Sequence, residues 1–194
     1  MRGLVRVGAA VPSLALGNVK ENMKRHLAMM REAKEKHVSI VTFPELSLTG
    51  YTCGDVVFQR RLLDDVTDAL LALKDEMPEG ILAVVGAPLE IEGALYNCAV
   101  VLHKGEIISA VPKTFLPNNG EFYEKRWFQS GDARRDASVA IPKLKTDVCR
   151  QAIFETGDGV RFGIELCEDL WAPLPPSTML SVEGAETYPQ ATSC

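Results

Sequence analysis

Apolar positions along the chain fall into two kinds of run. LVRVGAAV (4–11), VSIVTF (38–43), ILAVVGAPLEI (81–91) and two stretches within LYNCAVVLHKGEIISAVPK (95–113) are short and rich in β-branched residues. They predict buried strands, with Pro12 and Pro44 closing the first two and a turn at Lys104 and Gly105 joining the last two. Between strands, Met23, Leu27, Met30 and Ala33 recur at helical spacing, so a helix capped by Asn18 is predicted to about His37. A second amphipathic helix is predicted over residues 57–77, after a loop at LTGYTCGD (48–55).

The second half is less regular. TFLPNNGEFYEKRWFQSGD (114–132) is aromatic, charged and rich in turn formers, and predicts a long ordered loop with one short helical turn. VAIPKLKTD (139–147) and VCRQAIFET (148–156) add extended structure, GDG (157–159) a tight turn, and VRFGIEL (160–166) a strand running into Cys167. No internal repeat is present, and the strand, helix, strand order predicts an α/β sandwich.

Composition narrows the class. With 194 residues, 46% hydrophobic and 24% charged, the chain can bury one sizeable core. A net charge of −5 without a basic stripe argues against nucleic acid as a partner. The amino-terminal apolar run is interrupted by Arg6 and ends at Pro12, too short for a membrane span or a signal segment, so no membrane association and a cytoplasmic location are expected. Cys53, Cys98, Cys149, Cys167 and Cys194 form no paired metal-ligand spacing, and their odd number predicts thiols rather than a disulfide framework or a zinc site.

Candidate chemistry comes from three strand ends. Glu45, Lys113 and Cys167 each follow an apolar run, and loops at the carboxyl ends of strands are where α/β sites assemble. A thiol that becomes a thiolate, a carboxylate that takes its proton and a fixed cation that stabilises an oxyanion make an amide-hydrolysing set. Taken singly, each has a plainer reading: Cys167 as a small buried apolar residue, Glu45 as a first-turn carboxylate, Lys113 as a solvated strand end. His26, His37 and His103 lie on predicted helix and strand positions that leave no imidazole base, so Glu45 is the expected partner of a reactive Cys167.

Three blocks, FPELSLTGY (43–51), PKTFLPNNGEFYEKRWF (112–128) and GIELCEDLWAPLPPS (163–177), resemble the signature segments of the nitrilase (carbon-nitrogen hydrolase) superfamily. Their wording is most similar to the amino-terminal glutaminase domains of bacterial glutamine-dependent NAD synthetases, in order from about residue 4 to 185. The resemblance implies an α-β-β-α sandwich and a Glu45, Lys113 and Cys167 triad. It further implies Tyr51, Phe122 and Glu168 around an L-glutamine pocket, and Glu121 as a supporting glutamate. Hydrolysis is expected to need no cofactor or metal. The ammonia is expected to serve a synthetase domain that uses ATP and magnesium to amidate nicotinic acid adenine dinucleotide to NAD. The resemblance also implies a homo-oligomer, and makes the EKRWF segment (124–128) a clamp on the Lys113 loop. Glu165, two residues before the thiol, is expected to share its strand face and either to support the groups around the thiol or to serve as a packing contact.

The sequence departs from the family at two places. Asn119 stands where a tyrosine is common, and TYPQATSC (187–194) is polar, contains Pro189 and carries no strand signal. The expected organisation is an incomplete glutaminase domain over 1–185, a polar tail over 186–194, and no synthetase domain. Two other readings stay open: a different nitrilase-like amidase or carbamoylase, and an inactive fragment acting as an interaction module.

Overall fold

The computed structural model describes residues 5–103, 105–133 and 138–192. Leu4 of the first expected strand, Lys104 of the expected turn and Cys194 lie outside them. Strand β1 (Val7–Ala9) leads to helix α1 (Val19–Glu35), whose first turn is capped by Asn18 Oδ1 accepting from Glu21 N at 3.1 Å. Strand β2 (Ile40–Thr42) follows. A 3-10 segment at Tyr51–Phe58 occupies the expected loop and takes the first residues of the expected second helix, so α2 runs Arg60–Glu76. The shift follows from Gln59, whose extended backbone (φ −71°, ψ 123°) separates the two segments.

Strands β3 (Leu82–Ile91), β4 (Ala94–His103) and β5 (Glu106–Pro112) form an antiparallel meander. The long loop contains one short helix, α3 (Glu124–Trp127), before β6 (Ser138–Ile141) and β7 (Thr146–Cys149). These strands make one seven-stranded sheet in the order β1-β2-β3-β4-β5-β7-β6, with β1, β2 and β3 parallel to one another.

Alternation along β3 and β4 sends successive side chains to opposite faces. Val85, Val100 and Leu102 meet Leu27, Met30, Leu70 and Leu73 from the two long helices. On the other face, Val84, Ala99, Val101 and Val111 pack against Phe162, Ile164 and Leu166. That second layer is built from short pieces: β8 (Phe154–Glu155) with β9 (Arg161–Phe162), and β10 (Glu165–Leu166) with β11 (Gln190–Ala191). The single strand expected over 160–166 is thus broken at Gly163. A Cβ there would lie 2.6 Å from a Leu180 methyl carbon of helix α4 (Pro176–Val182), which stacks outside the layer. Helix pair, sheet, short-strand layer and outer helix give the α/β sandwich in its α-β-β-α order.

One expectation is corrected. The segment read as a polar tail without a strand supplies β11, parallel to β10, with Glu165 beside Gln190 and Leu166 beside Ala191. Ala191 is buried, and Gln190 Nε2 donates to the Cys167 carbonyl at 3.3 Å. The apolar content of 187–194 is too low to signal this pairing, because a two-residue strand needs only one inward side chain. Among the described residues no helix is long and apolar enough to cross a membrane.

Candidate active site

Glu45 is placed by a turn that lies directly on strand β3. A Cβ at Gly86 would stand 2.2 Å from Pro44 O, 2.5 Å from Leu46 N and 2.8 Å from Glu45 C, so only glycine lets the turn approach this closely. Leu46 takes a positive φ of 52°, and its carbonyl accepts from Gly50 N at 2.8 Å. Helix α1 holds the turn from the other side. Asn22 Nδ2 donates to Leu48 O at 3.0 Å, and His26 Nε2 lies 2.8 Å from Ser47 Oγ. Burial lowers the His26 pKa to about 4, so the ring, tilted by 31° against Phe43 with centroids 4.3 Å apart, is neutral at physiological pH.

Lys113 follows β5 directly and is fully buried. Its backbone N donates to Asn97 O across the sheet at 2.8 Å, and its ammonium lies 2.5 Å from Glu45 Oε1 and 2.7 Å from Glu124 Oε1. Asn97 Nδ2 donates to Glu45 Oε1 at 2.6 Å and, more weakly, to Glu124 Oε2 at 3.4 Å. Tyr51 Oη donates to Glu124 Oε1 at 2.6 Å. The cluster is therefore two carboxylates, one ammonium, one amide and one phenol, with Glu45 Oε2 buried and unpartnered.

The supporting glutamate expected at Glu121 is corrected to Glu124. The Pro117 to Glu124 turn closes on itself, Phe122 N donating to Asn119 O and Glu124 N to Pro117 O, and Gly120 takes a φ of 58°. That leaves Glu121 exposed and turns Glu124 inward on the first turn of α3. The EKRWF segment is clamped from outside, because Asp55 accepts from Arg126 Nε (2.7 Å), Arg126 Nη2 (2.6 Å) and Trp127 Nε1 (2.9 Å).

Cys167 begins a 3-10 turn (Cys167–Trp171) immediately after β10, with a positive φ of 45° that few non-glycine residues adopt. It is half-buried, and close enough to Tyr51 for a thiolate charge to act on the phenol. Asp169, which the sequence reading did not single out, ties this turn to the Lys113 loop. Its Oδ1 accepts from Thr114 N (3.0 Å) and Phe115 N (2.7 Å), while Oδ2 accepts from Leu166 N (3.1 Å). Glu165 accepts from Ser177 N at 2.6 Å, anchoring α4. Glu168 lines a cavity of about 460 Å³ with Thr114, Phe115, Leu116, Lys125 and Phe128, and Tyr51 and Phe122 meet edge to face at 6.3 Å. Cys53, Cys98 and Cys149 make no disulfide and stand outside the cluster.

The carbon-nitrogen hydrolase family model matches residues 6–193. The chain belongs to the carbon-nitrogen hydrolase family. Among its relatives, the glutamine-dependent NAD(+) synthetase of Mycobacterium tuberculosis H37Rv is 38% identical over 186 residues, 94% of this chain but 27% of that enzyme. A glutamine-dependent NAD(+) synthetase from Cytophaga hutchinsonii superposes with a TM-score of 0.81 at 26% identity, covering 97% of this chain and 30% of that one. An amidase from Nesterenkonia sp. shares the fold with a TM-score of 0.73 at 17% identity, covering 97% of this chain and 64% of that one.

In this carbon-nitrogen hydrolase the electrostatics of the cluster divide its two carboxylates. Burial pushes the Glu45 pKa up, the Glu124 charge adds to this, and Lys113 and Asn97 oppose it. Burial acts to lower Lys113, but the two carboxylates outweigh it and keep the ammonium above its ordinary value. Tyr51 is pushed far above the ordinary phenol range by burial first and then by Glu124, so it stays a donor. Glu124 uses both oxygens on neighbours, whereas Glu45 keeps one free. A raised carboxylate with a free oxygen is the group of this cluster best suited to take and return a proton.

Proposed function

We propose that the chain is the glutaminase part of a glutamine-dependent NAD synthetase, releasing ammonia from the side-chain amide of L-glutamine. The observation that supports this most directly is the fully buried Lys113 held between two carboxylates, of which Glu45 alone keeps an unpartnered oxygen. The names of the relatives supply the substrate class.

In this reading Glu45 Oε2 takes the Cys167 thiol proton and Sγ bonds to the amide carbon. The resulting oxyanion is met by the ammonium of Lys113, which has three N–H donors and spends two on Glu45 and Glu124. The C–N bond then breaks, with Glu45 returning the proton to the departing ammonia. A water deprotonated by Glu45 attacks the thioester, and glutamate leaves as the thiol is restored. Tyr51, Phe122 and Glu168 line the approach, with Glu168 reading the substrate ammonium. The ammonia serves amidation of nicotinic acid adenine dinucleotide, the ATP-dependent step assigned to the remaining part of such enzymes.

Ammonia release from L-glutamine, set against a panel of small aliphatic amides and carbamoyl compounds, tests the reading. Glutamine is expected to be the preferred substrate, with turnover lost in Cys167→Ala. Preference for another amide overturns the substrate, and turnover surviving Cys167→Ala overturns the nucleophile.

A further inference from the structure

Asn97 lies on β4, with its backbone carbonyl accepting from Lys113 N. Strand alternation puts its side chain on the face shared with Ala99 and Val101, toward the layer that carries Cys167. The side chain is fully buried and meets both carboxylates of the cluster through one nitrogen. Rotating the amide by half a turn would put Oδ1 against Glu45 and Glu124, so the neighbours dictate its orientation. In that orientation Oδ1 is itself unpartnered and buried, which is unfavourable for a side chain whose only task is packing.

The count of donors gives the reason for this arrangement. Lys113 supplies one positive charge to two buried carboxylates, and Tyr51 serves only Glu124. Among the described residues Asn97 is the one neutral donor on Glu45, and it shares Oε1 with Lys113. Both donors therefore converge on one oxygen and leave Oε2 bare.

We propose that Asn97 is a positioning residue that fixes the proton-accepting state of Glu45, directing Oε2 toward the thiol and keeping Glu45 ionised beside a second carboxylate. The proposal rests on the reading of Glu45 as the base for Cys167. Asn97→Asp preserves shape but replaces the donor with a third carboxylate. Asn97→Ala only removes the donor.

The full chain is treated with iodoacetamide across a pH series, and alkylation of the Cys167 peptide is followed by mass spectrometry, with thermal unfolding as the control for folding. The acid limb of the Cys167 rate profile is expected to move up by about one pH unit or more in Asn97→Asp, since a close like charge raises a carboxylate pKa by that order. A smaller move in the same direction is expected in Asn97→Ala, which also serves if Asn97→Asp fails to fold. A limb that stays in place, whether the rate is unchanged or uniformly lower, overturns the proposal. Glu45→Gln separates the two levels of the argument. If it slows Cys167 alkylation while the Asn97 variants leave the limb in place, only the positioning role falls. If it leaves the Cys167 rate unchanged, the base assignment falls.

Discussion

The ammonium of Lys113 lies 2.7 Å from Glu124 Oε1, with both side chains fully withdrawn from solvent, while Glu121 three residues earlier is exposed. Removing one partner of a buried pair leaves a charge without compensation and typically costs about 3–5 kcal/mol. Because Lys113 keeps Glu45, Glu124→Gln is expected near the lower end of that range, with roughly 10²-fold lower turnover as Lys113 and Tyr51 shift. Glu121→Gln should change stability by no more than about 0.5 kcal/mol. Thermal unfolding and ammonia release on the two variants check the contrast, and equal effects would remove Glu124 from the site.

Gly86 sets the position of Glu45 through backbone contact. The atoms that an added Cβ would meet belong to Pro44, Glu45 and Leu46 main chain, which cannot swing aside as a side-chain tip can. Gly86→Ala should therefore destabilise by about 1–3 kcal/mol, the range for overpacking. Turnover should fall further than that loss explains at temperatures where the variant remains folded. Measured activity that merely tracked the folded fraction would show that the turn tolerates displacement.

Asp169 gives a pH dependence with a defined sign. Burial raises its pKa from 3.8 to about 7, against the opposing effect of three backbone N–H donors and Lys113. A carboxyl with a raised folded-state pKa stabilises fully below its unfolded pKa, and the contribution is lost as pH rises through the folded value. The stability of wild type relative to Asp169→Asn should thus decline from about pH 4 to about pH 7 and level off above it. Unfolding midpoints for the pair across this range measure the difference, with the other titrating groups cancelling. A difference that is flat with pH would mean that Asp169 keeps an ordinary pKa.

Asp55 is exposed, yet it receives three N–H groups from the segment that carries Glu124. Asp55→Ala should leave the core intact and loosen α3, which lies on the Tyr51 to Glu124 contact. Faster hydrogen exchange at residues 124–128 is expected, with a modest loss of turnover. Unchanged exchange there would show that the loop closes without this clamp.

Much of the scaffold was legible in the sequence. Asn18 capped its helix as its side chain chemistry required, and the runs forming β2, β3 and β4 became strands buried on both faces of the sheet, whereas the first run, expected to be buried, forms the edge strand β1 and leaves Val7 and Val11 exposed. Glu45, Lys113 and Cys167 could be singled out because each follows an apolar run. The residues that hold them were not legible. Asn22 and His26 are polar positions within an otherwise apolar helix face, and nothing local shows that their partners are the Leu48 carbonyl and Ser47. Asn97 and Gly86 sit in strand interiors, where a sequence shows only an interruption of an apolar run.

By itself the sequence determined the periodicities, the turn residues and the family blocks, since these depend on side chains within a few residues of one another, while the layer order came only through the family resemblance. Only the tertiary structure decided which glutamate supports Lys113, which carboxylate oxygen remains free, and that residues 190–191 pair with the strand leading to the thiol. Those outcomes depend on contacts between positions 11 to 73 residues apart. There, burial removes water as an alternative partner and leaves each polar group to find its complement across the fold.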